Sequence, residues 1–138
     1  RENNMAKITG SCLCGKVKFH CENQFTQFHL CHCELCQKVT GSAHASNLFT
    51  VHDNIIWLRG YAFVKRFDVP GCSMAHAFCV ECGSAMPRLS GKEKLLVVPA
   101  GSLDGQANIA PQSNICWDER AKWYDDAIDA PHIDGVPE

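Results

Sequence analysis

The sequence predicts a mainly β fold of short antiparallel strands with little helix. Short segments alternate polar and apolar residues or are apolar throughout, which is the pattern of half-buried and buried strands. Gly, Pro, Asn and Asp separate these segments at regular intervals, as turns do in an all-β sandwich or barrel. A chain of 138 residues is long enough for one hydrophobic core. We therefore expect a single domain over residues 5–128 and an irregular C-terminal tail over residues 129–138.

The individual strands are predicted from the same two signals. Residues 16–21 (KVKFHC) alternate polar and apolar side chains most clearly. The other predicted strands are residues 45–51, 55–59, 62–68, 74–78 and 95–100. Two short helical stretches are expected, one over residues 34–39 and one over residues 118–127. The tail contains Pro131 and Pro137, which favour irregular structure.

Composition excludes several classes of function. The formal net charge is −2, and no run of Lys and Arg offers the basic surface that nucleic acid requires. No apolar stretch approaches the roughly 18 residues needed to span a bilayer. The N-terminal sequence RENNMAK lacks the apolar core of a signal peptide. We therefore expect a cytoplasmic protein with neither a nucleic-acid nor a membrane partner; the sequence does not predict the oligomeric state.

Seven of the ten cysteines fall into three short groups. The cytosol is reducing, so cysteines there bind metal more often than they form disulfides. Four thiolates make a closed tetrahedral zinc site, whereas three leave a position for water or substrate. The seven cysteines therefore predict one structural zinc and one zinc able to do chemistry. The groups are Cys12 and Cys14; Cys31, Cys33 and Cys36; and Cys79 and Cys82.

The first and third groups are predicted to form one structural site. Gly15 follows Cys14 and Gly83 follows Cys82, as expected where a tight turn supplies two thiolates to one ion. A metal ion held by both turns would close a long loop and thereby constrain the unfolded chain. The binding free energy of such an ion is also folding free energy. The predicted ligands are Cys12, Cys14, Cys79 and Cys82.

The middle group, Cys31, Cys33 and Cys36, has two interpretations that the residues alone leave equally open. In one, the fourth zinc position binds water or accepts a substrate thiolate. In the other, a fourth side chain completes a second structural site. The candidates for that ligand are His32, His44, His76, Cys21, Cys72 and Cys116.

Three cysteine motifs and two later segments follow one another in a specific order. They are GSCLCGKV at residues 10–17, CHCELCQKVTGS at 31–42, FCVECGS at 78–84, GSLD at 101–104 and ICWDERAKW at 115–123. This order closely resembles the glutathione-dependent formaldehyde-activating enzyme family, which includes the vertebrate centromere protein V. The resemblance covers about residues 8–124.

The resemblance implies a zinc-stapled, mainly β fold of the Mss4-like (β-tent) type. It implies two Zn²⁺ ions: a structural one at Cys12, Cys14, Cys79 and Cys82, and a catalytic one at Cys31, Cys33 and Cys36. The implied activity is that of a carbon–sulfur lyase that forms or cleaves S-hydroxymethylglutathione. The implied partners are therefore a small-molecule thiol, with glutathione as the example, and an aldehyde.

Five residues are candidates for roles beside the zinc ligands. His32 lies between two ligands and is a candidate catalytic proton shuttle; the alternative is a solvent-facing turn residue. Thr40 and Ser42 could donate hydrogen bonds to thiolates or substrate, or could cap a helix or turn. Lys38 could attract a carboxylate of glutathione, or be an ordinary solvated lysine. Trp123 is the tryptophan most expected to line a substrate pocket.

Two positions depart from the family pattern. Gln37 stands where the family usually has a basic residue, which removes one partner for an anionic substrate. Asn114 stands where a histidine is common, and asparagine cannot carry a proton near neutral pH. Both departures bear on glutathione specificity more than on zinc binding.

Two other functions are compatible with the residues. One is a non-catalytic zinc module that binds a partner protein or ligand, as Mss4-like folds can. The other is a zinc-containing methionine sulfoxide reductase of the β type, for which Cys116 would be the nucleophile. Cys21 is predicted to be a small core residue and Cys72 to lie exposed in a turn. His44 and His76 are expected in strands, as partly buried histidines.

Overall fold

The computed structural model describes residues 6–92 and 94–137, and ten β-strands make up most of the regular structure in these ranges. The expected mainly β fold of short strands with little helix is confirmed. Met5, the expected start of the domain, and Glu138, the last residue of the predicted tail, lie outside the described residues. No helix in the described ranges is long and apolar enough to cross a membrane.

Short connections join the elements. The strands are β1 (Lys7–Ser11), β2 (Lys18–Glu22), β3 (Gln27–Cys31), β4 (Ala45–Val51), β5 (Ile56–Arg59), β6 (Val64–Asp68), β7 (Ala75–Cys79), β8 (Arg88–Leu89), β9 (Leu95–Pro99) and β10 (Ser113–Ile115). The α-helices among the described residues are α1 (Glu34–Thr40) and α2 (Tyr124–Ile128). Short 3-10 turns occur at Tyr61–Phe63, Ala100–Ser102 and Trp117–Glu119.

Six predicted strands correspond to β2, β4, β5, β6, β7 and β9, with ends displaced by no more than two residues. The prediction of a strand at residues 62–63 is wrong, because Gly60, with φ +75°, begins a 3-10 turn there. The sequence did not predict β1, β3, β8 or β10. Of these, β3 lacks a clean alternation of burial, and β8 and β10 are too short to carry a periodic pattern.

The two predicted helical stretches differ from the structure in opposite ways. Residues 118–127 do not form one helix, because the extended backbone of Arg120 (ψ 149°) separates the 3-10 turn from α2. Helix α1 is slightly longer than predicted. Cys33 caps its N terminus, and Gly41, with φ +67°, ends it in the left-handed conformation that favours glycine.

The strands form three sheets. One has the order β1-β2-β5, the second has the order β10-β3-β4-β9-β8, and the third pairs β6 with β7. All pairs of described strands are antiparallel except β10 and β3, which run parallel with Ile115 opposite Cys31. This register sets the residues that follow β10 beside the end of β3, where the middle group of cysteines begins.

One cluster of buried hydrophobic residues includes two of the predicted metal ligands. Phe19 on β2 and Leu48 on β4 are fully buried in one cluster, to which Cys12 and Cys79 also belong. Cys21 is buried in the same cluster, which confirms the prediction that it is a small core residue. The turns that carry the first and third cysteine groups therefore start from the core.

Candidate metal centres

Four cysteines from distant parts of the chain form what we call the first cluster. Its members are Cys12, Cys14, Cys79 and Cys82, whose sulfurs all lie within 4.8 Å of one another. The Cys14 sulfur is 3.6 Å from that of Cys12 and 3.9 Å from that of Cys79. Two thiolates on a tetrahedral zinc, each about 2.3 Å from the metal, lie about 3.8 Å apart. The spacing therefore fits one tetrahedral ion held by four thiolates.

Two similar turns present these sulfurs. In each turn the N–H of the first cysteine donates to the carbonyl five residues later, at 3.1 Å from Cys12 and 3.0 Å from Cys79. Gly15 and Gly83 have φ values of +80° and +79°, which residues with a side chain rarely adopt. The matched glycines of the sequence are thus the local signal for both turns.

Side chains join the two turns to each other. Lys16 Nζ lies 2.9 Å from the Glu81 carboxylate, and the Leu13 N–H donates to the Ser84 hydroxyl at 2.9 Å. The Cys82 sulfur lies 3.3 Å from the same hydroxyl, and hydrogen bonding by Ser84 lowers the pKa of the Cys82 thiol to about 5. Because thiolate is the form of cysteine that ligates metal, Ser84 favours metal binding by Cys82.

Three cysteines around the start of α1 form the second cluster. Cys31 ends β3, Cys33 caps α1, and Cys36 lies in the first turn of the helix. Their sulfurs all lie within 4.8 Å of one another, and the Cys33 sulfur accepts the Cys36 N–H at 3.3 Å. Burial raises the pKa of the Cys36 thiol, and the neighbouring thiols raise it further. Three soft sulfur ligands this close together suit Zn²⁺, whose charge offsets the cost of gathering thiolates.

His32 lies between two members of the second cluster and is fully buried. Its Nε2 is 2.8 Å from Asn114 Oδ1, and because an amide oxygen only accepts, Nε2 carries the proton. Its Nδ1 has no hydrogen-bond partner in the described part of the chain. The interpretation of His32 as a solvent-facing turn residue is therefore wrong. Asn114, one of the two departures from the family pattern, is the residue that orients the His32 ring.

Aromatic rings enclose His32. The ring centroids of His44, Trp117 and Tyr124 each lie 4.9 Å from that of His32. His44 lies in the loop before β4, so the expectation that it lies in a strand is wrong; burial lowers its pKa below 6.5. Sequence analysis missed Tyr124, for which the only available signal was its position after Trp123.

Cys116 contacts the second cluster from the end of β10. Its sulfur lies 3.9 Å from that of Cys31. Partial desolvation beside the cluster and the neighbouring Cys31 thiol raise the pKa of Cys116 to about 11. Among the described residues, no further His, Cys, Asp or Glu has a ligand atom within 4.8 Å of all three sulfurs of the cluster. The Cys116 sulfur does not meet this criterion either. The second cluster is therefore a set of three donors with a fourth thiol at its edge.

The remaining candidates for a fourth ligand have other surroundings. Cys72 lies exposed in the turn between β6 and β7, which confirms its predicted position. His76 lies on β7, as expected, and lines a small cavity of about 60 Å³ together with Cys36 and Arg88. Burial lowers the pKa of His76 below 6.5, and the positive charge of Arg88 acts in the same direction.

A groove of about 540 Å³ runs beside α1. Its lining includes Lys38, Ser42 and Trp123, which are three of the four residues predicted to contact substrate. Glu34 and Glu119, which the sequence analysis did not single out, also line the groove. Trp123 is 56% exposed and is thus available to a ligand.

Gln37 and Thr40 are engaged by the protein itself. The Gln37 amide nitrogen donates to the His32 carbonyl at 2.8 Å and to the Glu119 carbonyl at 3.1 Å. The Thr40 hydroxyl donates to the Cys36 carbonyl at 2.8 Å and accepts the N–H two residues later at 3.1 Å. The Thr40 hydroxyl thus makes the capping contacts that the sequence analysis gave as the alternative to a substrate contact. The Gln37 side chain connects α1 to the segment after β10 by hydrogen bonds.

Comparison with known proteins finds a family match and a structural likeness. The family model described as "Glutathione-dependent formaldehyde-activating enzyme" matches residues 7–119. A crystal structure of a Rhodobacter sphaeroides protein has a TM-score of 0.62 to this chain at 20% sequence identity, covering 77% of this chain and 98% of that one. At that identity the likeness shows the fold alone. A search of curated proteins finds no significant match.

Proposed function

Because the chain belongs to the glutathione-dependent formaldehyde-activating enzyme family, we propose that it forms and cleaves the carbon–sulfur bond of thiol–aldehyde adducts. The observation that carries this proposal is the second cluster, whose three sulfurs converge with no further ligand atom within 4.8 Å of all three in the described ranges. Three protein ligands are typical of catalytic zinc, where substrate or water takes the fourth position. Glutathione and formaldehyde are the first candidates for thiol and aldehyde.

Two Zn²⁺ ions with different roles belong to this proposal. The first cluster would hold a structural ion, whose binding free energy adds to folding. Cys31, Cys33 and Cys36 would hold the second ion. When bound, a zinc of this kind stabilises a substrate thiol as the nucleophilic thiolate. A reducing compartment such as the cytoplasm keeps these cysteines available as ligands.

His32 is the proposed proton acceptor in adduct cleavage. When the adduct splits, the electrons of the carbon–sulfur bond return to sulfur, the hydroxyl oxygen becomes the aldehyde carbonyl, and the hydroxyl proton leaves. Nδ1 can accept this proton, because Nε2 is hydrogen-bonded to Asn114 and Nδ1 has no partner among the described residues. A buried acceptor left unpaired costs about 1–3 kcal/mol, so its presence beside a cysteine cluster favours a functional role. Adduct formation returns the proton by the same route.

The groove beside α1 is the proposed binding site for the rest of the thiol substrate. Lys38 would attract a carboxylate, Ser42 offers a hydroxyl, and Trp123 offers an apolar face. Glu34 and Glu119 would instead attract an ammonium group. Glutathione carries both kinds of group, whereas cysteamine carries an ammonium group alone. Testing both thiols therefore shows whether the groove requires a carboxylate on the substrate.

The direct test is the rate at which ¹³C-formaldehyde exchanges with its thiol adduct, measured by NMR exchange spectroscopy. Wild-type protein should increase this rate in proportion to its concentration with at least one of the two thiols. Cys33→Ser should lower the protein-dependent rate at least about tenfold, because even residues that only support a metal ligand contribute 10- to 100-fold to activity.

Cys72→Ser is the matched control, since Cys72 is an exposed cysteine outside both clusters, and it should leave the rate unchanged. Full activity of Cys33→Ser would contradict the proposed mechanism. A wild-type protein that binds both thiols without increasing the exchange rate would instead favour a non-catalytic zinc module.

A further inference from the structure

Strand pairing fixes the position of Cys116 next to the second cluster. β10 pairs in parallel with β3, and Ile115 lies opposite Cys31. The His32 N–H donates to the Ile115 carbonyl at 3.0 Å, and the side-chain hydrogen bond between His32 and Asn114 joins the same two segments. The approach of Cys116 to Cys31 therefore follows from the sheet and is not a chance position of a free loop.

The contact between Cys116 and Cys31 has the dimensions of two ligands on one ion. Their sulfurs are 3.9 Å apart, as are those of Cys14 and Cys79 in the first cluster. Two thiolates on a tetrahedral zinc lie about 3.8 Å apart. The Cys116 side chain is exposed, so its rotamer can change without displacing packed neighbours. Ligation requires that such a change bring the Cys116 sulfur nearer to the other two sulfurs.

The backbone of Cys116 is held in an unfavourable conformation. Its φ of +53° and ψ of +39° are left-handed, which costs a residue with a side chain about 1–2 kcal/mol. The residues that follow are fixed by packing: the Trp117 ring contacts the His32 ring edge to face, and the Arg120 guanidinium lies 4.4 Å from the centre of the Trp117 ring. Strain that surrounding contacts maintain beside a ligand cluster is typical of functional sites.

We propose that Cys116 is the resting fourth ligand of the metal ion in the second cluster, and that the substrate thiol takes its place. Ligation by Cys116 rests on the geometry of this chain, whereas the identity of the incoming ligand rests on the proposed function. In the resting state both clusters are then four-thiolate sites. The three-ligand site that the reaction requires forms when Cys116 is released.

The exchange of ligands is balanced without an external base. On exchange, the incoming thiol would lose its S–H proton as its sulfur took the place of that of Cys116, and Cys116 would receive that proton and leave as a thiol. The number of thiolate ligands and the charge of the site stay the same.

Cobalt-substituted protein tests the ligation, because Co²⁺ absorption reports the number and kind of its ligands. Wild-type protein with two Co²⁺ ions should show the thiolate-to-cobalt absorption of eight ligands, and Cys116→Ser that of the seven clustered cysteines alone. The visible bands of one ion should shift toward those of a site with three sulfurs and one oxygen. The zinc affinity of the weaker site, measured by competition with a chelator, should fall at least about tenfold.

Cys72→Ser removes an exposed cysteine outside both clusters and should leave spectrum and affinity unchanged. If Cys116→Ser has the spectrum and zinc affinity of Cys72→Ser, ligation by Cys116 is overturned. Adding 2-mercaptoethanol separates this outcome from the proposed function. With this thiol present, the Cys116→Ser spectrum should regain the missing thiolate absorption. If it does not, displacement of Cys116 by a thiol is overturned, and the proposed function with it. Ligation by Cys116 itself is judged from the spectrum recorded without thiol.

Discussion

Gly60 allows the end of β5 to pack against the turn that contains Cys12 and Cys14. Gly60 has φ +75° and lies so close to the Lys16 carbonyl that a Cβ would overlap the oxygen. The preceding residue, Arg59, donates two hydrogen bonds to the Gly15 carbonyl, at 3.1 and 2.9 Å. Gly60 thus lets β5 approach the turn that follows Cys12.

Gly60→Ala should destabilise the protein more than Gly71→Ala. Both glycines have positive φ, +75° and +82°, so each substitution should cost about 1–2 kcal/mol for the backbone conformation. A Cβ at Gly71 meets nothing within 4 Å, whereas one at Gly60 meets backbone, which should add about 1–3 kcal/mol. Denaturant unfolding measures the difference, and equal losses for the two variants would show that the close approach at Gly60 does not matter.

Local signals explain which residues the sequence could predict. Cys12, Cys14 and Gly15 are close together in sequence and form one turn, so their spacing predicts that turn. The role of Gly60 depends on a chain segment that approaches from far away in sequence, and no pattern near Gly60 encodes that approach. The contact of Cys116 with Cys31 was unpredictable for the same reason, although Cys116 was among the candidate ligands.

Among the elements around the second cluster, those with local sequence signals could be predicted and those that depend on distant contacts could not. Gly41 is an ordinary signal for the C-terminal end of α1, whereas Cys33, which caps the N terminus in the structure, is not one of the usual capping residues. β10 has three exposed residues and pairs in parallel with β3. His32, which follows β3, is hydrogen-bonded to Asn114 on β10 across 82 residues of sequence. A strand this short has no period to detect. The burial of His32 and its contact with Asn114 follow from this pairing and could not be predicted without it.

β7 carries a histidine whose titration should weaken the fold in acid. Burial, with help from the charge of Arg88, lowers the pKa of His76 below 6.5. Above that pH the imidazole is neutral in both states and has no effect on stability. As the pH falls through 6.5 the unfolded chain binds the proton more readily than the folded one, so the free energy of unfolding decreases until the folded pKa is passed.

His76→Asn should therefore lose less stability than wild type when the pH is lowered from about 7 to about 5, as measured by urea unfolding at each pH. His52→Asn is the control, because His52 is exposed in a turn, and it should leave the pH dependence unchanged. Identical pH profiles for His76→Asn and wild type would refute the role of β7 in acid sensitivity.

The whole molecule contains two thiol clusters of different construction. The first cluster joins the turn after β1 to the end of β7, and two of its cysteines are buried in the core. The second cluster forms between β3 and α1 and is flanked by a groove and by the segment after β10. The sequence predicted the division into four and three cysteines, because each of the three cysteine groups is a local motif and the glycines that follow Cys14 and Cys82 match the first group with the third. It could not predict the groove, whose lining comes from α1 and from residues after β10.

Native mass spectrometry of the purified protein tests the central claim, that the clusters are two independent metal sites. The account predicts two Zn²⁺ ions in the wild-type chain and in the control Cys72→Ser, and one in Cys33→Ser at a chelator concentration that leaves both ions in the wild type. Cys33→Ser should keep the ion of the first cluster, because none of its four sulfurs belongs to the second. A wild-type chain with a single ion, or a Cys33→Ser chain that still holds two as tightly as wild type, would contradict the account.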